Sequence, residues 1–280
     1  MYLILALSSA LLFGVWQFAI GQFRGRVPRE VVLLACCGTS AVVSLLLGVV
    51  SSEFILDVVD ISRGIAGGLL NVGGTLLVLK AYETGKIGVV TGVAAAYALV
   101  PLAYSFVAGE TLTGPAALGL VVIIVGLVLF YAPAAARRTP GESTSVQSIL
   151  LALLAAGLWG LAIIALDLGT RISVTGTMFV SQIPQILVTL VIALGVKKLR
   201  IRLGGGPSVI AAGAGVAVAL AQVAFFSAAN QGNIGVVSIL GSLSPLVTAL
   251  LALVLLRERM ARLETIALAI VVAGTCLVAV

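Results

Sequence analysis

The side chains that could recognise a solute lie inside long apolar runs, where a polar group needs a partner. Gln17, Asn71, Gln182, Gln185 and Gln222 each place a carboxamide among aliphatic neighbours. A carboxamide both donates and accepts hydrogen bonds, yet carries no charge. Ser242 adds a hydroxyl near Pro245, and Trp16, Tyr97 and Trp159 add aromatic rings. Such a set binds by hydrogen bonding and ring contact. Enzymatic chemistry would need carboxylates, histidines or metal ligands converging in a pocket. The chain has no histidine, and its apolar runs hold no charge near their centres. An enzyme is therefore not expected, and neither a metal nor a cofactor is implied. Each residue also has a plainer role: an amide can bond a neighbouring helix, and a ring can fill a core.

Three prolines sit within the same runs. Pro101, Pro184 and Pro245 each withhold a helix hydrogen bond and free the carbonyl four residues earlier, here Tyr97, Val180 and Gly241. A hinge and a static kink are both compatible with that. Gln182 and Gln185 are three apart and share one helix face. The spacings Gly64/Gly68, Gly88/Gly92 and Ala211/Gly215/Ala219 permit close helix contact and do not read as phosphate loops.

The elements that position these residues follow from composition. Hydrophobic residues make up 61% of the 280 and charged residues 9%, against roughly 45–50% and about 25% in soluble chains. Too little charge is present to cover a water-facing surface, so the surface faces lipid. In hydrocarbon the backbone must bond to itself, and nothing alternates as barrel strands do. The fold class is therefore all-α integral membrane, with ten spans expected near 2–21, 30–50, 61–80, 87–108, 113–132, 147–166, 174–195, 207–229, 234–256 and 262–280. The uncharged start Met1–Leu3 does not suit a secretion signal. Cys36, Cys37 and Cys276 read as buried small hydrophobes.

The net charge of +6 reflects topology rather than nucleic-acid binding. With loops numbered from the N-terminus, 14 of the 16 Lys and Arg fall on odd loops, and only Arg63 and Arg171 on even ones. The positive-inside rule then places the odd loops in the cytoplasm and both termini outside. A plasma membrane location follows as the expectation. Lys197–Arg202 reads as a cytoplasmic anchor that touches anionic lipid.

The two halves repeat. Thr84–Thr91 matches Gln231–Ser238 at a spacing of 147, and Glu110 and Gly126 match Glu258 and Gly274 at 148. Phe13–Gly14 and Trp159–Gly160 align at 146. The expected organisation is a first five-helix repeat over 1–136, a linker over 137–146 and a second five-helix repeat over 147–280. Five is odd, so the second repeat enters the membrane from the opposite side. Inverted repeats of this kind characterise secondary transporters, whose site lies near the midplane.

On these residues the chain resembles the EamA-type ten-helix members of the drug/metabolite transporter superfamily. The resemblance rests on the aromatic–Gly pairs, on Ala81 to Gly85 and Ala228 to Gly232, on Pro101 and Pro245, and on Glu110 to Gly126 and Glu258 to Gly274. It implies a carrier of small polar or amphiphilic metabolites, amino acids or similar, with a cavity lined by the first four helices of each half. Family members are described with both termini in the cytoplasm, and the Lys/Arg distribution here gives the reverse. The expected function is a secondary transporter working by alternating access, an exporter or exchanger. A channel or lipid-translocating protein on the same scaffold is the alternative. The expected substrate-binding residues are Trp16, Gln17, Asn71, Tyr97, Trp159, Gln182, Gln185, Gln222 and Ser242. Expected partners are a small-molecule substrate and the lipid bilayer, with no nucleic acid and a homodimer left open.

Overall fold

Apolar runs that cannot share hydrogen bonds with water close their bonds along themselves, and each run here is helical. A computed structural model describes residues 1–21, 27–52, 54–55, 57–84, 87–111, 113–136, 146–196, 206–255 and 262–278. The expected linker over 137–146 and the basic cluster Lys197–Arg202 lie outside the described residues, apart from Val146. Among the described residues there is no strand. The helices are α1 (Tyr2–Gly21), α2 (Arg29–Ser51), α3 (Val58–Thr84), α4 (Ile87–Ala94), α5 (Leu99–Val107) and α6 (Gly114–Ala136). They continue with α7 (Val146–Thr170), α8 (Val174–Val191), α9 (Gly206–Ala229), α10 (Ile234–Gly241), α11 (Ser244–Leu255) and α12 (Arg262–Val278). A 3-10 turn, Ala95–Ala98, joins α4 to α5, and a π turn, Ile192–Val196, extends α8.

Seven described helical segments are long and apolar enough to cross a membrane: Tyr2–Ile20, Glu30–Ser51, Val58–Ala81, Val146–Thr170, Val174–Gly195, Val209–Ala229 and Ile234–Leu255. Three shorter apolar helices, Ala95–Val107, Gly114–Phe130 and Thr265–Val278, accompany them. Large aliphatic side chains such as Ile4, Leu46, Val121 and Leu187 stand exposed along the helices. Water would oppose so continuous an apolar surface and hydrocarbon would not. The chain is a multi-pass membrane protein.

The helices gather into two compact units, and each draws on both halves of the sequence. Met1–Val72 with Ala162–Gly232 forms the first, and Gly73–Leu161 with Asn233–Val280 forms the second. Two boundaries fall within α3 and α7, and the third between α9 and α10. The two expected halves are thus not the units of packing.

In the first unit, α1 packs on α9, and α2 packs on both α8 and α9. Gly215 lets α9 approach the α2 backbone, since a Cβ there would stand 2.8 Å from the Cys36 carbonyl and 2.7 Å from Thr39 Cβ. Gly68 does the same for α3 and α8, where a Cβ would run into the Ser181 carbonyl and Pro184. Both belong to small-residue spacings singled out above. Cys36 is buried as expected, but Cys276 is exposed on α12. Its neighbours on that face are lipid-facing side chains, so it is no core residue.

In the second unit, α6 packs on α12 and α5 on α10. A Cβ on Gly119 would stand 2.7 Å from the Gly274 carbonyl, and one on Gly126 would stand 3.2 Å from that of Ala267. Val78 and Ala81 of α3, Val90 and Ala94 of α4, and Ala152 and Ala155 of α7 form a shared core. Helix α5 ends at Gly109, whose φ of 81° suits glycine. The Glu110 N–H donates to the Ser105 carbonyl at 3.0 Å and the Gly109 N–H to Phe106 at 3.1 Å, a closure that satisfies the last helical carbonyls.

Candidate functional site

The candidate residues divide between the two units. In the first unit, Gln182 Nε2 donates to Gln222 Oε1 across 3.1 Å, joining α8 to α9. Gln182 is only 2% exposed. It lies eight residues past the start of α8, about 12 Å along the axis at the helical rise. Gln222 lies seven residues before the end of α9, about 10 Å from that end. A hydrocarbon core is ~30 Å thick, so the pair sits close to mid-depth for helices that span it.

Gln185 does not join this pair. Its amide folds back on its own helix and donates to the Ser181 carbonyl at 3.0 Å. The shared face expected for Gln182 and Gln185 therefore separates into one interhelical amide and one that stays on its own helix. Gln17 and Asn71 are half-buried on α1 and α3. Trp16 packs against the cluster of Val32, Cys36, Ala211 and Ala214, where α1, α2 and α9 meet, and Phe13 meets it edge-on at 6.4 Å. Phe13 in turn meets Phe225 at 6.5 Å, one turn beyond Gln222. Rings from α1 and α9 thus meet one helical turn from Gln222.

In the second unit, Tyr97 and Trp159 meet edge to face, with centroids 6.3 Å apart and planes at 90°. Two glycines make the geometry possible. A Cβ on Gly74 would stand 2.6 Å from Trp159 Cδ1, so that position must be bare for the indole to lie against α3. Gly160 brings α7 to the Tyr97 carbonyl, 2.9 Å from where a Cβ would be. That carbonyl is the one to which Pro101 has no N–H to offer, and the chain there tightens into the Ala95–Ala98 turn. The same happens ahead of Pro245, where the helix breaks at Ser242–Leu243 between α10 and α11. Ser242 Oγ donates to the Ile239 carbonyl at 2.7 Å, which steadies the break. Pro184 behaves differently and lies within a continuous α8.

Polar contacts that sequence reasoning missed hold one end of the first unit. The Arg63 guanidinium of α3 donates to the Leu168 carbonyl of α7 at 2.8 Å, and Asn230 Nδ2 beyond α9 donates to the Thr170 carbonyl at 2.8 Å. Asp60 and Asp167 are each 3% exposed. They face Arg63 at 3.6 Å and Arg171 at 3.7 Å. Asp167 is thus buried close to the C-terminal end of α7. The signal available in sequence was the Asp–Arg spacing of three and four residues, which marks a shared helix face.

Residues 146–280 match the EamA-like transporter family, one of membrane transporters of the drug/metabolite type. A crystal structure of another protein, 18% identical, aligns over 100% of this chain and 98% of its own with a TM-score of 0.83. That likeness establishes the fold. No curated protein matches the sequence.

Proposed function

We infer that this chain, whose residues 146–280 carry an EamA-like transporter domain, is a secondary transporter that moves small metabolites by alternating access between two inverted five-helix repeats. The observation that carries the reading is a set of exchanged contacts. Advancing 148 residues turns Gly119 into Ala267 and Gly126 into Gly274. Gly119 meets Gly274, and Gly126 meets Ala267. Contacts that swap in this way are what a two-fold relation between halves produces.

The first unit supports it independently. Gly68 and Gly215 are 147 apart, while Cys36 and Thr39 precede Ser181 and Pro184 by 145. Gly68 meets Ser181 and Pro184, and Gly215 meets Cys36 and Thr39. Three spans also pack on their repeat counterparts: α2 on α8, the α4–α5 span on the α10–α11 span through α5 and α10, and α6 on α12.

Ten crossings fit the seven long segments and three shorter apolar helices. Parity agrees. Tyr2 meets Gly232, and Gly48 with Phe54 meets Thr175, so the N-terminus and loops 2, 6 and 8 share one end of the first unit. Even numbers of crossings must separate them. By the Lys/Arg distribution that end faces outside, and the membrane is the plasma membrane. The breaks before Pro101 and Pro245 occupy repeat-related spans, and interrupted helices are a usual feature of carrier sites. The nine candidate residues are then the substrate-binding set, with Gln182–Gln222 in the first unit and Tyr97–Trp159 in the second.

The test is counterflow in proteoliposomes of the full chain preloaded with metabolite pools. Saturable, pool-dependent exchange is the expected result. Flux that does not saturate would replace the carrier reading with a channel.

A further inference from the structure

The amide pair also points to the kind of solute, an inference that rests on the transporter reading. With one hydrogen bond between them, Gln182 and Gln222 leave one carbonyl and one NH2 group over. In the orientation observed, these are Gln182 Oε1 and Gln222 Nε2. Assignment of oxygen and nitrogen in a glutamine follows from the hydrogen-bond network, but reversing both amides changes only which residue supplies which group. Either way the pair leaves one acceptor and one donor over. Gln222 is half-buried and Gln182 buried, and neither amide holds an enclosed polar atom without a partner.

No countercharge is at hand. Helices α1, α8 and α9, which carry the pair and its neighbouring rings, contain no Asp, Glu, Lys or Arg at all. The charged groups of the first unit cluster at helix ends, as Asp60, Arg63, Asp167 and Arg171 do. A net charge brought to mid-depth without a partner costs far more than an amide does. An amide that brings its own donor and acceptor satisfies both leftover groups at once.

We propose that the Gln182–Gln222 pair is a binding site for net-uncharged solutes that carry a carboxamide-like edge, a donor beside an acceptor, on a compact body. Carboxamides, lactams and nucleobase edges share that chemistry. The solute carbonyl accepts from the free NH2, and its N–H donates to the free carbonyl. Phe225 lies one helical turn from Gln222 and meets Phe13 edge-on.

The experiment uses the purified full chain in detergent and measures its Tm with nicotinamide, uracil and caprolactam as probes. Nicotinate, N,N-diethylnicotinamide and N-methylcaprolactam are the matched controls, which add a charge or remove the donor. Binding to the native state raises Tm with ligand concentration. The expected result is stabilisation by at least one probe and an apparent affinity at least about tenfold weaker for its control, ~1.4 kcal/mol. Gln182→Met with Gln222→Met removes both amides, leaves no orphan, and should abolish the response while the protein stays folded. Equal stabilisation by nicotinate overturns the proposal, as does silence from all three probes or an unchanged response in the double variant. Counterflow on the same preparation keeps the two readings apart. Exchange of metabolite pools without any amide response defeats the amide site alone, whereas absent exchange defeats the transporter reading.

Discussion

Gln182 and Gln222 illustrate how little a polar residue in an apolar segment says until its partner is known. Interhelical hydrogen bonds in membrane proteins average about 0.6 kcal/mol and reach ~1.7, so the pair adds modestly to stability. Its removal is asymmetric, because deleting one side orphans the other. Gln182→Ala is expected to lower Tm more than the double change to Met, and a double-mutant cycle of thermal unfolding measures the difference. Arg63 offers a second comparison. Arg63→Ala strips the Leu168 carbonyl of its donor and Asp60 of the cation beside it. Arg171 is the more exposed partner of Asp167, so Arg171→Ala should cost less, and Tm values of the two variants decide it. The residue types were legible in sequence. Which amide would pair, and which would turn back on its own helix as Gln185 does, was not, because both lie on one face and differ only in what stands opposite.

At the scale of the element, close approach is set by glycine, and the same helix supplies its own control. On α9, a Cβ at Gly215 would press on α2, whereas one at Gly213 meets nothing within 4 Å. Gly213→Ala should be neutral or stabilising by up to ~1 kcal/mol, since alanine favours the helix. Gly215→Ala should destabilise by about 1–3 kcal/mol through overpacking. Equilibrium unfolding in mixed micelles separates the two. The prolines act on the same scale. Pro101→Ala and Pro245→Ala restore the missing N–H and favour an uninterrupted helix. Slower exchange in proteoliposomes with undiminished Tm is the expected outcome, and unchanged rates would mark the breaks as static. The positions where a break could form were legible because proline acts locally. That Pro184 leaves α8 continuous was not, since neighbouring residues determine whether a proline interrupts or merely sits within a helix.

For the whole molecule, the decisive prediction concerns sidedness. In a cysteine-free background (Cys36, Cys37 and Cys276 replaced by Ala), single cysteines at Ile55 and Ile172 should react with an impermeant maleimide from outside the cell. Both side chains are exposed. Cysteines at Thr139 and Gly204 should react only after permeabilisation, because their loops carry the Lys and Arg excess. The reverse pattern would invert the orientation, and a mixed pattern would end the two-repeat arrangement.

The sequence by itself determined the membrane setting, the apolar segments and the prolines set within three of them. All of these depend on local composition or on spacing along the chain. Only the tertiary structure decided that each packing unit takes helices from both halves, that Gln182 meets Gln222, and that Arg63 and Asn230 join helix ends. The physical reason is that the apolar faces of these helices are nearly interchangeable in hydrophobicity. Partners are selected by where a missing Cβ lets two backbones meet, and that complementarity exists only between segments far apart in the chain.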